Sequence, residues 1–184
     1  MSAPGVAAVA RPLGREDALA LMRRTPVILE SIVAGFPADL LERRPAPDEW
    51  SAREILRHLV EVEELLFARV ASMVATGSVP AGGHAAPSGA RVETAALLAR
   101  WRAARERTQQ RVASLSADEL GRGADLRRWG YLRVEEQVCE WAYHDLEHVR
   151  QLLATEEAFL YPAIGGFRGL YAPPFPDRAV AGEA

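Results

Sequence analysis

Trp141-Ala142-Tyr143-His144-Asp145-Leu146-Glu147-His148-Val149-Arg150-Gln151 carries two of the chain's four histidines, spaced i and i+4. It lies within a longer run, about residues 134–156, where Val134, Val138, Trp141, Ala142, Val149, Leu152 and Leu153 recur at helical spacing. On a helix His144 and His148 stand on one face, one turn apart, as a shared metal ion requires. At 100° per residue from His144, His148 lies at about 40°, Trp141 at about 60°, Gln137 at about 20° and Gln151 at about −20°. That face borders the apolar stripe and mixes imidazoles, amides and an indole, the composition of a pocket lining.

A third histidine, His58, occupies an equivalent place on another helix. Ser51 with Glu54 forms a capping box that opens a helix running to about Thr76, with Gly77 as its stop. Measured from His58, the apolar Ile55, Leu59, Val62, Leu66 and Met73 fall within about 100° on one side. His58 is at the edge of that stripe. Arg91 to Leu115 reads as a further helix, with Leu97, Leu98, Trp101 and Val112 inward and an Arg- and Gln-rich solvated face. Glu16 to Ala34 reads as one or two segments, because Pro26 lacks the N–H that continues a helix and is expected to kink or restart it. Short segments are expected at Ala38–Arg43 and around Asp118–Leu120, and no strand pattern shows.

These elements predict an all-α, up-down four-helix bundle over residues 14–157, after a flexible leader of small residues at 1–13. A long irregular C-terminal tail, 158–184, follows. Its prolines and glycines forbid a long helix, and Phe159, Tyr161, Phe167, Tyr171 and Phe175 are spaced to pin it over the bundle. Trp50 and Trp129, each just before a helix, read as hydrophobic staples.

Composition narrows the setting. The 184 residues suit one domain, and 49% hydrophobic with 26% charged residues is ordinary for a globular protein. A net charge of −3 argues against a dedicated nucleic-acid surface, and the absence of Lys reads as codon composition. Cys139 is the single cysteine, so no internal disulfide forms and the cytoplasm is the expected compartment. The opening residues lack a basic signal-peptide region, and no apolar run is long enough to span a bilayer.

His58, His144 and His148 together predict a three-histidine site. Neutral imidazole suits zinc, nickel, copper and iron(II), and three protein ligands leave a position open, as catalytic sites do. Glu54 and Glu61 flank His58, while Glu140 and Glu147 flank the pair. Glu61 and Glu147 are the candidate proton acceptors, and Gln137, Trp141 and Gln151 the candidate substrate or cofactor lining. Cys139 lies on the far side of its helix, and His84, in a Gly- and Pro-rich loop, reads as a solvated residue.

Trp50-Ser51 leading into Glu54-Ile55-Leu56-Arg57-His58-Leu59, followed by His144-Asp145-Leu146-Glu147-His148-Val149-Arg150-Gln151, resembles the DinB-like (YfiT-like) metal-binding four-helix-bundle superfamily. The resemblance spans roughly Glu16 to Thr155. It implies that His58, His144 and His148 bind a divalent transition metal, zinc or nickel foremost and iron as a third candidate. It also implies a small-molecule substrate, a homodimer and, as in characterised members, a thiol-dependent transferase or isomerase using a low-molecular-weight thiol. Two other readings stand beside it. His144-Asp145-Leu146-Glu147-His148 fits the H-x-x-E-H pattern of inverted zinc hydrolases, with Glu147 activating water. A non-catalytic metal-binding or stress-response module would need the histidines alone.

Overall fold

The computed structural model describes residues 13–80 and 92–175. The leader up to residue 12, the loop around His84 and the tail from Pro176 onward lie outside the described residues. Four long helices form the bundle: α1 (Arg15–Gly35), α2 (Ala52–Thr76), α3 (Thr94–Ala113) and, after the short α4 (Ala117–Gly121), α5 (Val134–Leu160).

Helix α2 begins and ends where its sequence directs. The Glu54 N–H donates to the Ser51 hydroxyl at 3.3 Å, and the Ser51 N–H donates to the Glu54 carboxylate at 2.8 Å. Two donors that a helix start leaves bare are thereby satisfied. Gly77 ends the helix with φ at 65°, its N–H donating to the Met73 carbonyl at 3.1 Å. Between them Ile55, Leu59, Leu66 and Met73 are at most 2% exposed. Burying each such side chain stabilises by about 1.5–3 kcal/mol.

Pro26 does not restart α1, which is one continuous helix. A proline at position 26 strands the carbonyl of Met22, four residues earlier. Here that oxygen accepts from Gln109 Nε2 at 3.0 Å and lies 3.5 Å from an Arg105 Nη. The group freed by the proline is met by α3, so the break expected from local sequence does not occur.

The expected four-helix bundle is present, and its helix directions follow from two core layers. One layer joins Met22, Leu66, Val112 and Trp141; the other joins Leu29, Leu56, Leu97 and Leu152. Residue numbers rise from the first layer to the second on α1 and α5, and fall on α2 and α3. The helices therefore run up, down, down, up. α1 packs on α5 and α3, and α2 packs on α3 and α5, which leaves α1 and α2 on opposite corners. Arg53 at the start of α2 donates to the Val92 carbonyl at 2.7 Å, which ties the chain entering α3 to the end of the bundle where α2 begins. The histidine-bearing α2 and α5 are thus antiparallel neighbours, although 86 residues separate His58 from His144.

Three departures from the sequence reading are local. Residues 38–42 form turns rather than a short helix. A two-stranded antiparallel sheet, β1 (Gly123–Asp125) with β2 (Tyr131–Arg133), sits before α5; strands of three residues are too short to leave a periodic signature. α5 continues to Leu160 and passes into 3-10 turns at Tyr161–Leu170, kinked at Gly165 with φ at 58°. Of the tail aromatics Phe159 packs against the core, whereas Phe167 and Tyr171 are more than 60% exposed. Tyr161 instead ties the tail to itself, its hydroxyl donating toward the Arg168 and Tyr171 carbonyls.

Candidate metal centre

His58 comes from the α5-facing edge of α2, and His144 and His148 from successive turns of α5. Their side chains converge: His58 Nε2 lies 3.2 Å from His144 Nε2, which lies 3.1 Å from His148 Nε2. One ligand atom from each of the three falls within 4.8 Å of the others, and no further group of this kind occurs among the described residues. His58 is buried and the other two are half-buried.

The spacing fits a metal ion. Zinc–nitrogen bonds of about 2.0–2.1 Å place neighbouring ligand nitrogens about 2.8–3.4 Å apart for bond angles between 90° and tetrahedral. The two Nε2 separations, 3.2 and 3.1 Å, fall inside that range, and the three ring nitrogens within 4.8 Å of one another could serve one ion. The tautomer is fixed for one of them. His148 Nδ1 is 2.9 Å from Gln151 Oε1, an acceptor, so Nδ1 carries the proton and Nε2 keeps its lone pair for a metal.

Trp50, read from sequence as a staple, belongs to this site. Its ring centroid is 4.8 Å from that of His58 and 6.2 Å from that of His148, nearly parallel to the latter at 9°. The capping box at Ser51 fixes the chain immediately after it, so the indole is held against both imidazoles. The pairing of an aromatic with the helix start was visible in the sequence; its direction was not.

The other expected site residues divide. Gln151 stands at the cluster. Gln137 is buried; it accepts from Arg69 at 3.1 Å and donates to Glu140 at 2.6 Å. Burial pushes the Glu140 carboxyl up, against the lowering effect of that amide. Trp141 requires a correction as a lining residue: it is 1% exposed and its indole N–H donates to Glu63 at 3.0 Å, inside the core. Glu61 is exposed on α2. Glu147 turns outward to Arg150 at 2.7 Å, so the H-x-x-E-H hydrolase reading loses its water-activating carboxylate. Glu54 is engaged as a cap and by Arg44; burial pushes its carboxyl up, but hydrogen bonds from Arg44 and Ser51 hold it below the usual range.

Sequence reasoning missed a second polar cluster beside the first. Arg105 on α3, read within a solvated face, is 1% exposed, as are Glu63 on α2 and Asp145 on α5. Arg105 donates to Glu63 at 2.7–3.1 Å and to Asp145 at 2.9 Å, with a second, short contact to Asp145. Burial pushes the guanidinium down, but the two carboxylates outweigh it and hold Arg105 firmly protonated. The signal available in the sequence was spacing: Arg105 follows the inward Trp101 by one turn.

Fold and cluster together define a helical bundle carrying a three-histidine constellation able to hold a metal ion. The sequence matches the DinB superfamily over residues 21–152, and the chain belongs to that family. Its fold is similar to the solved structure of YfiT from Bacillus subtilis, described as a probable metal-dependent hydrolase with an unusual four-helix bundle topology. The TM-score is 0.72 at 13% identity, covering 86% of this chain and 93% of that one. Comparison with curated proteins found no match. No helix among the described residues is long and apolar enough to cross a membrane.

Proposed function

We propose that the chain is a metal-dependent enzyme in which His58, His144 and His148 hold a divalent transition metal, zinc or nickel, and which joins a small thiol to an electrophilic substrate. The convergence of three Nε2 atoms from two helices carries this reading. A divalent ion at that point supplies Lewis acidity, which makes a thiol ionise near neutral pH. Gln151 orients His148, and Trp50 closes one side of the cluster against water. In the transfer, the thiol sulfur bonds to the electrophilic carbon, the leaving group departs from it, and the thiol proton passes to solvent. The homodimer implied by the family resemblance belongs to the same proposal.

The test is conjugation of several cellular thiols to 1-chloro-2,4-dinitrobenzene by zinc- and nickel-loaded protein. Expected is turnover that is lost on chelation and in His58→Ala. Metal-loaded protein that conjugates none of the thiols overturns the transferase reading. A second reading is hydrolysis at the same site, favoured by the description of YfiT as a probable metal-dependent hydrolase. Chelator-sensitive cleavage of small esters or amides without thiol distinguishes it. Metal binding without either activity supports the non-catalytic module.

A further inference from the structure

The buried cluster of Glu63, Arg105 and Asp145 touches all four bundle helices and sits next to the histidines along the chain. Asp145 directly follows His144, and Glu63 lies five residues after His58, about 7.5 Å along the α2 axis. All four carboxylate oxygens accept hydrogen bonds from Arg105, and Trp141 donates to one of them as well. Arrayed only as acceptors, both acids are carboxylates. Two carboxylates against one guanidinium leave one net negative charge in the core.

That imbalance is the informative feature. Pinning helices does not by itself call for such a cluster, because well-packed apolar side chains can replace a buried ion group without loss of stability. An excess anion in a low-dielectric interior is costly unless a cation lies near. The surplus accompanies a cluster of three imidazoles, neutral ligands that bring no charge to offset a dication. We propose that Glu63–Arg105–Asp145 is the counter-charge of the histidine site, raising its affinity for divalent cations from the layer behind the ligands. These are positioning residues: they act on the ion through the field and touch neither it nor the substrate. The inference rests on the reading of His58, His144 and His148 as ligands.

The experiment is calorimetric titration of chelator-stripped, full-length protein with zinc(II) and with silver(I), in a Cys139→Ser background that removes the competing thiol. The variant is Glu63→Met with Arg105→Met and Asp145→Leu, an apolar replacement that keeps the core filled, with helicity and melting checked by circular dichroism. Zinc affinity is expected to fall roughly 10–100-fold, the size of outer-shell effects on metal sites. Coulomb energy scales with ionic charge, so silver(I) should lose about half as much on a logarithmic scale, roughly 3–10-fold. A folded variant with native zinc affinity overturns the proposal. So do equal losses for the two ions, because displaced ligands would weaken both alike. If the triple variant does not fold, Glu63→Gln removes the surplus charge alone and must give the same unequal losses. Native protein that binds neither ion overturns the ligand reading itself, an outcome separate from the others.

Discussion

Two polar clusters lie along the α2–α5 interface, and they are built on opposite terms. In the one around Arg105, every carboxylate oxygen already accepts a hydrogen bond from within the core, and the residues are 1% exposed. In the other, His144 Nε2 lies about 3 Å from the Nε2 atoms of both His58 and His148, and His144 and His148 are half-buried. The first is chemically closed and the second is open. A closed cluster can hold helices and bias charge; only an open one can take up a ligand. The difference also separates what mutation should do at each.

The largest effect is expected at the closed cluster. Arg105→Met leaves two carboxylates buried without their cation and should cost about 3–5 kcal/mol of stability, read by urea unfolding. A loss below 1 kcal/mol would mean the cluster is not closed as described. At the open cluster the consequence moves from folding to binding. His58→Gln should leave metal-free stability within about 1 kcal/mol of native while reducing zinc affinity by more than 100-fold, about 2.7 kcal/mol at 1.36 kcal/mol per tenfold. Acid should do the same to the native protein, because protonated imidazole cannot coordinate. Zinc affinity should fall as the pH is lowered and recover on return, because protons compete with the ion for the same ring nitrogens.

Smaller effects refine the contrast. Gln151→Ala removes the acceptor that fixes the His148 tautomer and should weaken zinc roughly 10-fold, measured by competition with a chelator. Ser51→Ala deletes one half of the α2 cap and should destabilise by about 1 kcal/mol in thermal melts. Because the same cap holds Trp50 against two imidazoles, that variant should also blunt the change in tryptophan fluorescence on metal addition. An unchanged fluorescence response would separate the indole from the site.

How much of this was legible in the sequence depended on whether the signal was local. The helical periodicity of α2 and α5, the capping box at Ser51 and the pairing of His144 with His148 are properties of neighbouring residues, and each reads directly. His58 was recognisable because it borders an apolar stripe just as the pair does. What did not read was set by partners far along the chain. Pro26 fails to break α1 because Gln109 and Arg105 meet the Met22 carbonyl. Arg105 resembles its solvated neighbours until α2 and α5 close over it. The parallel course of α2 and α3 follows from how both pack in the bundle, which no local pattern announces. Trp50 was correctly placed at a helix start, but which neighbours it meets depends on α5.

The central claim is that three imidazoles from α2 and α5 share one ion. X-ray absorption at the zinc edge of the loaded native protein tests it most directly. Expected is a first shell containing three imidazole nitrogens at about 2.0–2.1 Å, reduced by one in His58→Gln. A shell made of oxygen alone, a sulfur contribution from Cys139, or a spectrum unchanged by the His58 substitution would contradict it.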